Sequence, residues 1–161
     1  MTGIGGDCFA LIGQPDGTVT GLNGSGRASR HATEDWLKAS GLTEIATDNI
    51  HAVTVPGAVD GWQALLDKHG SMSLGDVLQP AIKLARDGCP VGPRTAHDWA
   101  GLEEFIGQDE GGRMHYLPGG KAPAAGQIIA YPALARTLET IAAKGRDGFY
   151  TGAVAEDIVK T

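Results

Sequence analysis

Between residues 3 and 27 the chain reads GIGGDCFALIGQPDGTVTGLNGSGR, the stretch that most narrows what it can fold into. Two short apolar runs, residues 8–12 and 18–22, flank Gly13-Gln14-Pro15-Asp16-Gly17. Pro15 pre-sets φ for a turn, and Asp16-Gly17 supplies a residue that tolerates positive φ. The pattern predicts a β-hairpin with a loop longer than two residues. Glycines crowd its outer ends: Gly3, Gly5 and Gly6 on one side, Gly24 and Gly26 on the other. Ordering a glycine costs more backbone entropy than ordering any other residue, so such clusters mark turns or places where backbone approaches another group closely. A hairpin sets its outer ends side by side. Both clusters, with Ser25 and Arg27, are therefore expected to meet at one place, the candidate site.

A lone hairpin is marginal in water. It must pack on helices or belong to a larger sheet. The rest of the 161-residue chain is mostly helical in pattern. Thr33 is placed to cap a short helix over 34–40, ended by Gly41. Residues 52–57, AVTVPG, read as a short strand stopped by Pro-Gly. Val59, Trp62, Leu65, Leu66 and His69 share one face of a 3.6-residue period, with Gly70 as the stop. Ser73 and Asp76 resemble a capping box opening a second apolar face that runs to Gly88. Pro80, inside that run, predicts a break, a kink or a new start. Pro93 opens a helix expected to reach Phe105, and glycine-rich 107–120 reads as an exposed loop. A helix follows Tyr131-Pro132 and ends at Gly145, and a last one covers 153–159. The length suits one domain spanning residues 1–161 and burying roughly 70% of its unfolded surface.

A formal net charge of −6 argues against a nucleic-acid partner and against an anionic membrane surface. No apolar run is long enough to span a membrane, and no charged-then-apolar leader is expected, which leans the reading towards the cytoplasm. Cys8 and Cys89 form no C-x-x-C pair and read as small buried hydrophobes. The five histidines are scattered without metal-ligand spacing, so neither a metal nor a cofactor is expected. Residues 24–29 read G-x-G-x-x-S after a strand. The polar stretch behind them denies the immediate helix that a dinucleotide fingerprint needs.

Four stretches carry a resemblance. GIGGDCFALI, the strand ending LNGSGRA, AVTVPGAVDGWQALLDKHGSMSLGDVLQPAIKLARDGCPV and GRDGFYTGAVAEDIV resemble, in order and spacing, the large-subunit half of the gamma-glutamyltranspeptidase family. The resemblance implies an α+β fold class: part of the four-layer αββα N-terminal-nucleophile hydrolase fold, here the helical lobe plus a β-hairpin. It implies a precursor that cuts itself into large and small subunits. The new N-terminal Thr of the small subunit attacks a γ-glutamyl or related amide, and water or an amine resolves the acyl-enzyme. That Thr lies outside this sequence. The chain then reads as a large-subunit fragment truncated at both ends and inactive alone. Its expected partners are the rest of the large subunit, the small subunit and a small amide or peptide substrate. Its open strand edge predicts self-association.

The family's glutamate-gripping arginine sits in a D-F-R-E segment that matches Asn23-Gly24-Ser25-Gly26 here. Ser25 takes the arginine's place and Arg27 follows two positions later. The N-G-S-G-R-A form resembles the branch that includes acylases and amidohydrolases. Asn23, Ser25 and Arg27 are thus the candidate substrate-binding residues. Arg27 offers a bidentate fork to a carboxylate. Its structural alternative is to hold the loop through backbone carbonyls. Ser25 is equally a turn serine. Gly5 and Gly6 either aim amides at a ligand or serve strand packing. The alternative to an enzyme part is a non-enzymatic assembly module acting through the open sheet edge.

Overall fold

The structure, a computed structural model, describes residues 3–46 and 49–160. Its contacts divide into two compact units, Met1–Leu74 and Gly75–Thr161.

In the first unit the hairpin forms as expected. Strand β1 (Cys8–Gly13) pairs antiparallel with β2 (Val19–Gly24), with Cys8 opposite Gly24 and Gly13 opposite Val19. The loop closes through Gln14 N–H to the Thr18 carbonyl (2.8 Å) and Gly17 N–H to the Gln14 carbonyl (3.0 Å). Gly17 adopts φ 86°, the left-handed region that Gly enters without steric cost. The Asp16 carboxylate accepts the Thr18 hydroxyl and, at 2.9 Å, the Thr18 N–H. Those two bonds, the hydroxyl's first, hold its pKa below the ordinary 3.8. A depressed carboxyl pKa means that the turn's gain is complete above the unfolded value and is lost as pH falls through the folded one. An NMR titration is expected to place the Asp16 midpoint below 3.8. A midpoint at or above that value would refute the hold of these two bonds on the carboxylate.

Helix α1 (Glu34–Ala39) starts where Thr33 accepts the Trp36 N–H at 3.2 Å, and carries a Glu34–Lys38 ion pair. The strand expected over 52–57 does not form. A 3-10 turn (Ile50–Ala52) capped by Asn49 leads into extended chain that bonds from Val55 N–H to the Arg27 carbonyl (3.1 Å). Pro56 has no N–H with which to extend a ladder. Helix α2 (Ala58–His69) follows, with Val59 buried and Trp62, Leu65 and Leu66 half-buried on the expected face. It covers one face of the hairpin. A Cβ on Gly61 would lie 3.1 Å from Cys8 Cβ and 3.3 Å from Leu22 Cδ2, so Gly61 lets the helix sit down on Cys8 and Leu22. The opposite face stays open. Phe9 (64%), Leu11 (83%) and Val19 (65%) point to solvent, and Phe9 and Leu11 line a shallow depression of about 470 Å³.

In the second unit α3 (Leu74–Asp87) runs unbroken through Pro80. Burial of Leu78, Ile82 and Ala85 outweighs the one helical hydrogen bond that Pro80 cannot make. Gly88, at φ 89°, turns the chain into β3 (Cys89–Pro90). The helix expected from Pro93 to Phe105 is split at Leu102 into α4 (Pro93–Gly101) and α5 (Glu103–Ile106). The loop expected over 107–120 instead holds α6 (Glu110–Tyr116), capped by the Asp109 carboxylate on Gly112 N–H at 2.6 Å. A Cβ on Gly112 would come 2.5 Å from the Ile106 carbonyl, so its glycine serves close packing rather than a loop. The short β4 (Ile128–Ile129) pairs antiparallel with β3. Then come α7 (Pro132–Lys144), a one-turn α8 (Asp147–Tyr150) and α9 (Gly152–Lys160). Ile82, Val91, Leu117, Ile129, Leu138, Ile141 and Phe149 form this unit's core.

Cys89 is exposed and Cys8 half-buried, both as free thiols, so the burial expected of Cys89 does not hold. It stands in the exposed two-residue strand β3. Among the described residues no helix is long and apolar enough to cross a membrane, and no cluster of His, Cys, Asp and Glu could hold a metal ion.

Candidate functional site

The register that sets Cys8 opposite Gly24 brings the segment leading into β1 beside the segment leaving β2, as the glycine pattern predicts. The start of α2 seals the pair. Gly57 and Ala58 both donate their N–H to the Gly6 carbonyl, at 3.0 and 2.9 Å. Gly6 in turn donates to the Gly3 carbonyl at 3.1 Å. Both backbone groups of Gly6 are thus bonded within the protein.

Residues 23–27 are held at nearly every backbone position. Asn23 Oδ1 accepts the Ser25 N–H at 3.0 Å. Asp7 Oδ1 accepts the Gly26 N–H at 3.2 Å. The Arg27 carbonyl accepts from Val55. Three glycines make the close approach possible. A Cβ on Gly24 would lie 2.6 Å from the Cys8 carbonyl oxygen. One on Gly57 would overlap the Gly24 carbonyl, and one on Gly26 would overlap the Val55 carbonyl and come within 2.8 Å of Thr54 Oγ1.

The three residues singled out from sequence thus differ in what they have left to offer. The Asn23 carbonyl oxygen is committed to its own turn. Ser25 and Arg27 are exposed, and neither side chain bonds to any described residue. The alternative in which Arg27 props the loop through backbone carbonyls finds no such bond among them. A hydroxyl and a guanidinium fork on such a backbone have the donors to receive a carboxylate or an amide carbonyl. Sequence reading missed Asp7, Thr54, Val55 and Gly57. The only available signal was Asp7 directly after the first glycine cluster; the other three lie about 30 residues away and reach the loop only through the fold.

A sequence model described as gamma-glutamyltranspeptidase matches residues 1–161, the whole chain. The chain belongs to the gamma-glutamyltranspeptidase family. Among its gamma-glutamyltranspeptidase relatives, the glutathione hydrolase-like YwrD proenzyme of Bacillus subtilis is 39% identical, over 99% of this chain and 30% of that protein. The oxamate amidohydrolase proenzyme of Klebsiella pneumoniae is 36% identical, over 99% of this chain and 31% of its own length. The chain is also similar in structure to Helicobacter pylori gamma-glutamyltranspeptidase, with a TM-score of 0.90 and 32% identity, covering 98% of this chain and 46% of that one. The fold class expected from the resemblance is the one found: part of an αββα N-terminal-nucleophile hydrolase fold, with its hairpin and helical lobe. The chain spans about 30% of the length of the curated relatives it matches. Those relatives are proenzymes.

Proposed function

We propose that this chain is a single piece of the large subunit of a gamma-glutamyltranspeptidase-like enzyme, and that residues 23–27 bind the acyl group of its substrate. The reaction is acyl transfer or hydrolysis of a γ-glutamyl or related small amide. The attacking Thr comes from the small subunit that processing releases. Arg27 pairs with the substrate carboxylate, Ser25 bonds beside it, and Asn23 shapes the turn. The observation that carries this reading is the immobilised loop with an exposed arginine that bonds no described residue. A cation with no partner among the described residues, on a backbone held from Asn23, Asp7 and Val55, is pre-organised for an anion, so little ordering entropy remains to oppose binding. The open apolar face of the hairpin fits cover by the remaining parts of both subunits.

The test uses the full-length protein with two probes, glutathione and oxamate, both carboxylates. Removing one partner of a desolvated charge pair costs about 2–5 kcal/mol, and each 1.4 kcal/mol is tenfold. Arg27→Ala is therefore expected to raise KM on the turned-over probe roughly 30-fold or more, with a smaller change in kcat. An unchanged KM in a fully processed Arg27→Ala protein would overturn the assignment.

A further inference from the structure

We propose that Asp7 is a positioning residue for this site, acting through Gly26 rather than on substrate; the inference rests on the reading of residues 23–27 as the acyl-binding loop. Asp7 stands just before β1, nineteen positions from Gly26, yet its Oδ1 accepts the Gly26 N–H at 3.2 Å. Other bonds to the loop are of different kinds. Asn23 to Ser25 is internal to the turn, and Val55 to Arg27 runs backbone to backbone. Asp7 reaches the loop from outside with a side chain.

The position it holds matters because of what flanks it. Gly26 has the widest conformational range of any residue type and sits between Ser25 and Arg27, the two side chains left free to recognise a ligand. A rotation of its peptide unit re-aims both. Contact with the Val55 carbonyl limits that rotation by steric exclusion at the Gly26 Cα. Asp7 limits it by attraction at the N–H. A carboxylate accepting a backbone N–H is charge-assisted, roughly twice as strong as a neutral pair. Asp7 is half-buried, which reduces competition from water. Repulsion on one side and a directional bond on the other define one orientation where either alone would leave a range.

The experiment compares Asp7→Ala, Asp7→Asn, Arg27→Ala and the Asp7→Ala/Arg27→Ala double variant in the full-length protein. Intact mass reports conversion to two chains, and KM and kcat are measured with glutathione and oxamate. Asp7→Ala is expected to mature and to raise KM about tenfold with kcat nearly unchanged. Asp7→Asn keeps an oxygen acceptor without the charge and is expected to fall between it and wild type. The double variant is expected to fall well short of the product of the two single effects, because Asp7 acts only through the loop and, once Arg27 is gone, has only Ser25 left to aim. A processed Asp7→Ala protein with wild-type KM, or single effects that multiply, would overturn the proposal. Should Asp7→Ala fail to mature, Asp7→Asn decides: a few-fold rise in KM supports the role, and a wild-type KM refutes it. An unaffected Arg27→Ala would instead remove the loop reading itself, whereas a raised KM in Arg27→Ala alone removes only Asp7.

Discussion

Alanine at Gly57 or Gly26 is expected to dismantle the site and destabilise the first unit by at least about 3 kcal/mol, the upper end of ordinary overpacking. In both cases the added Cβ would overlap a backbone carbonyl, that of Gly24 or of Val55. A clash with the far end of a side chain is relieved by a rotamer change. A clash with a carbonyl oxygen is relieved only by moving the chain, and here that chain is the loop itself. Moving it pulls Gly26 N–H off Asp7 and Val55 N–H off Arg27, so steric cost and lost bonds arrive together. Gly13→Ala is the control: nothing lies within 4 Å of the Cβ it would add. Urea unfolding of the three variants should show a large fall in midpoint for the first two and almost none for the third, at similar m. A Gly57→Ala midpoint equal to that of Gly13→Ala would mean that α2 does not hold the loop.

Ile141→Ala should cost about 2–5 kcal/mol, the range for deleting buried methyl groups from a packed core. Ile141 is fully buried in α7, and the turn that follows is folded tightly back over it. Gly145 ends the helix at φ 61°, and Gly148 then packs so that a Cβ there would lie 2.5 Å from the Thr140 carbonyl and 3.1 Å from Ile141 Cα. With backbone pressed against the helix at this point, the surroundings have little room to collapse into the space left. That places the expectation in the upper half of the range. Val159→Ala, at a residue 86% exposed, should shift the midpoint by no more than about 0.5 kcal/mol. Equal effects at the two positions would show that Ile141 lies outside any cooperative core.

The hairpin and the convergence of its glycine-rich ends were legible because turn chemistry is local: Pro15, Asp16 and Gly17 specify their loop without help from the rest of the chain. The same holds for Thr33 at α1 and for the apolar face of α2. What escaped notice depends on partners far away in sequence. Nothing adjacent to Asp7 says that it bonds Gly26, and β3 and β4, two residues each, exist only because they meet. Two rules misled. Glycine's poor helix propensity made 107–120 look like a loop, whereas Gly112 serves contact with Ile106 and Asp109 supplies the cap. Pro80 suggested a break that burial on α3 overrides. Exposed Ser25 and Arg27 were readable as candidates, and the framework that fixes them was not.

Within the first unit the hairpin is assembled from near neighbours, whereas the helix that packs on it arrives later in the chain. The strands register across one tight turn, and the helix that seals their inner side begins at Ala58. Short loops close quickly and at low entropic cost, so the strand pair is suited to forming early, while a nascent chain is still emerging. Its outer side, with Phe9, Leu11 and Val19, is then wetted. The hazard for a chain built this way is waiting time: a finished strand pair with one open apolar face is a template for the wrong neighbour, and the pace of synthesis sets how often that mistake is made.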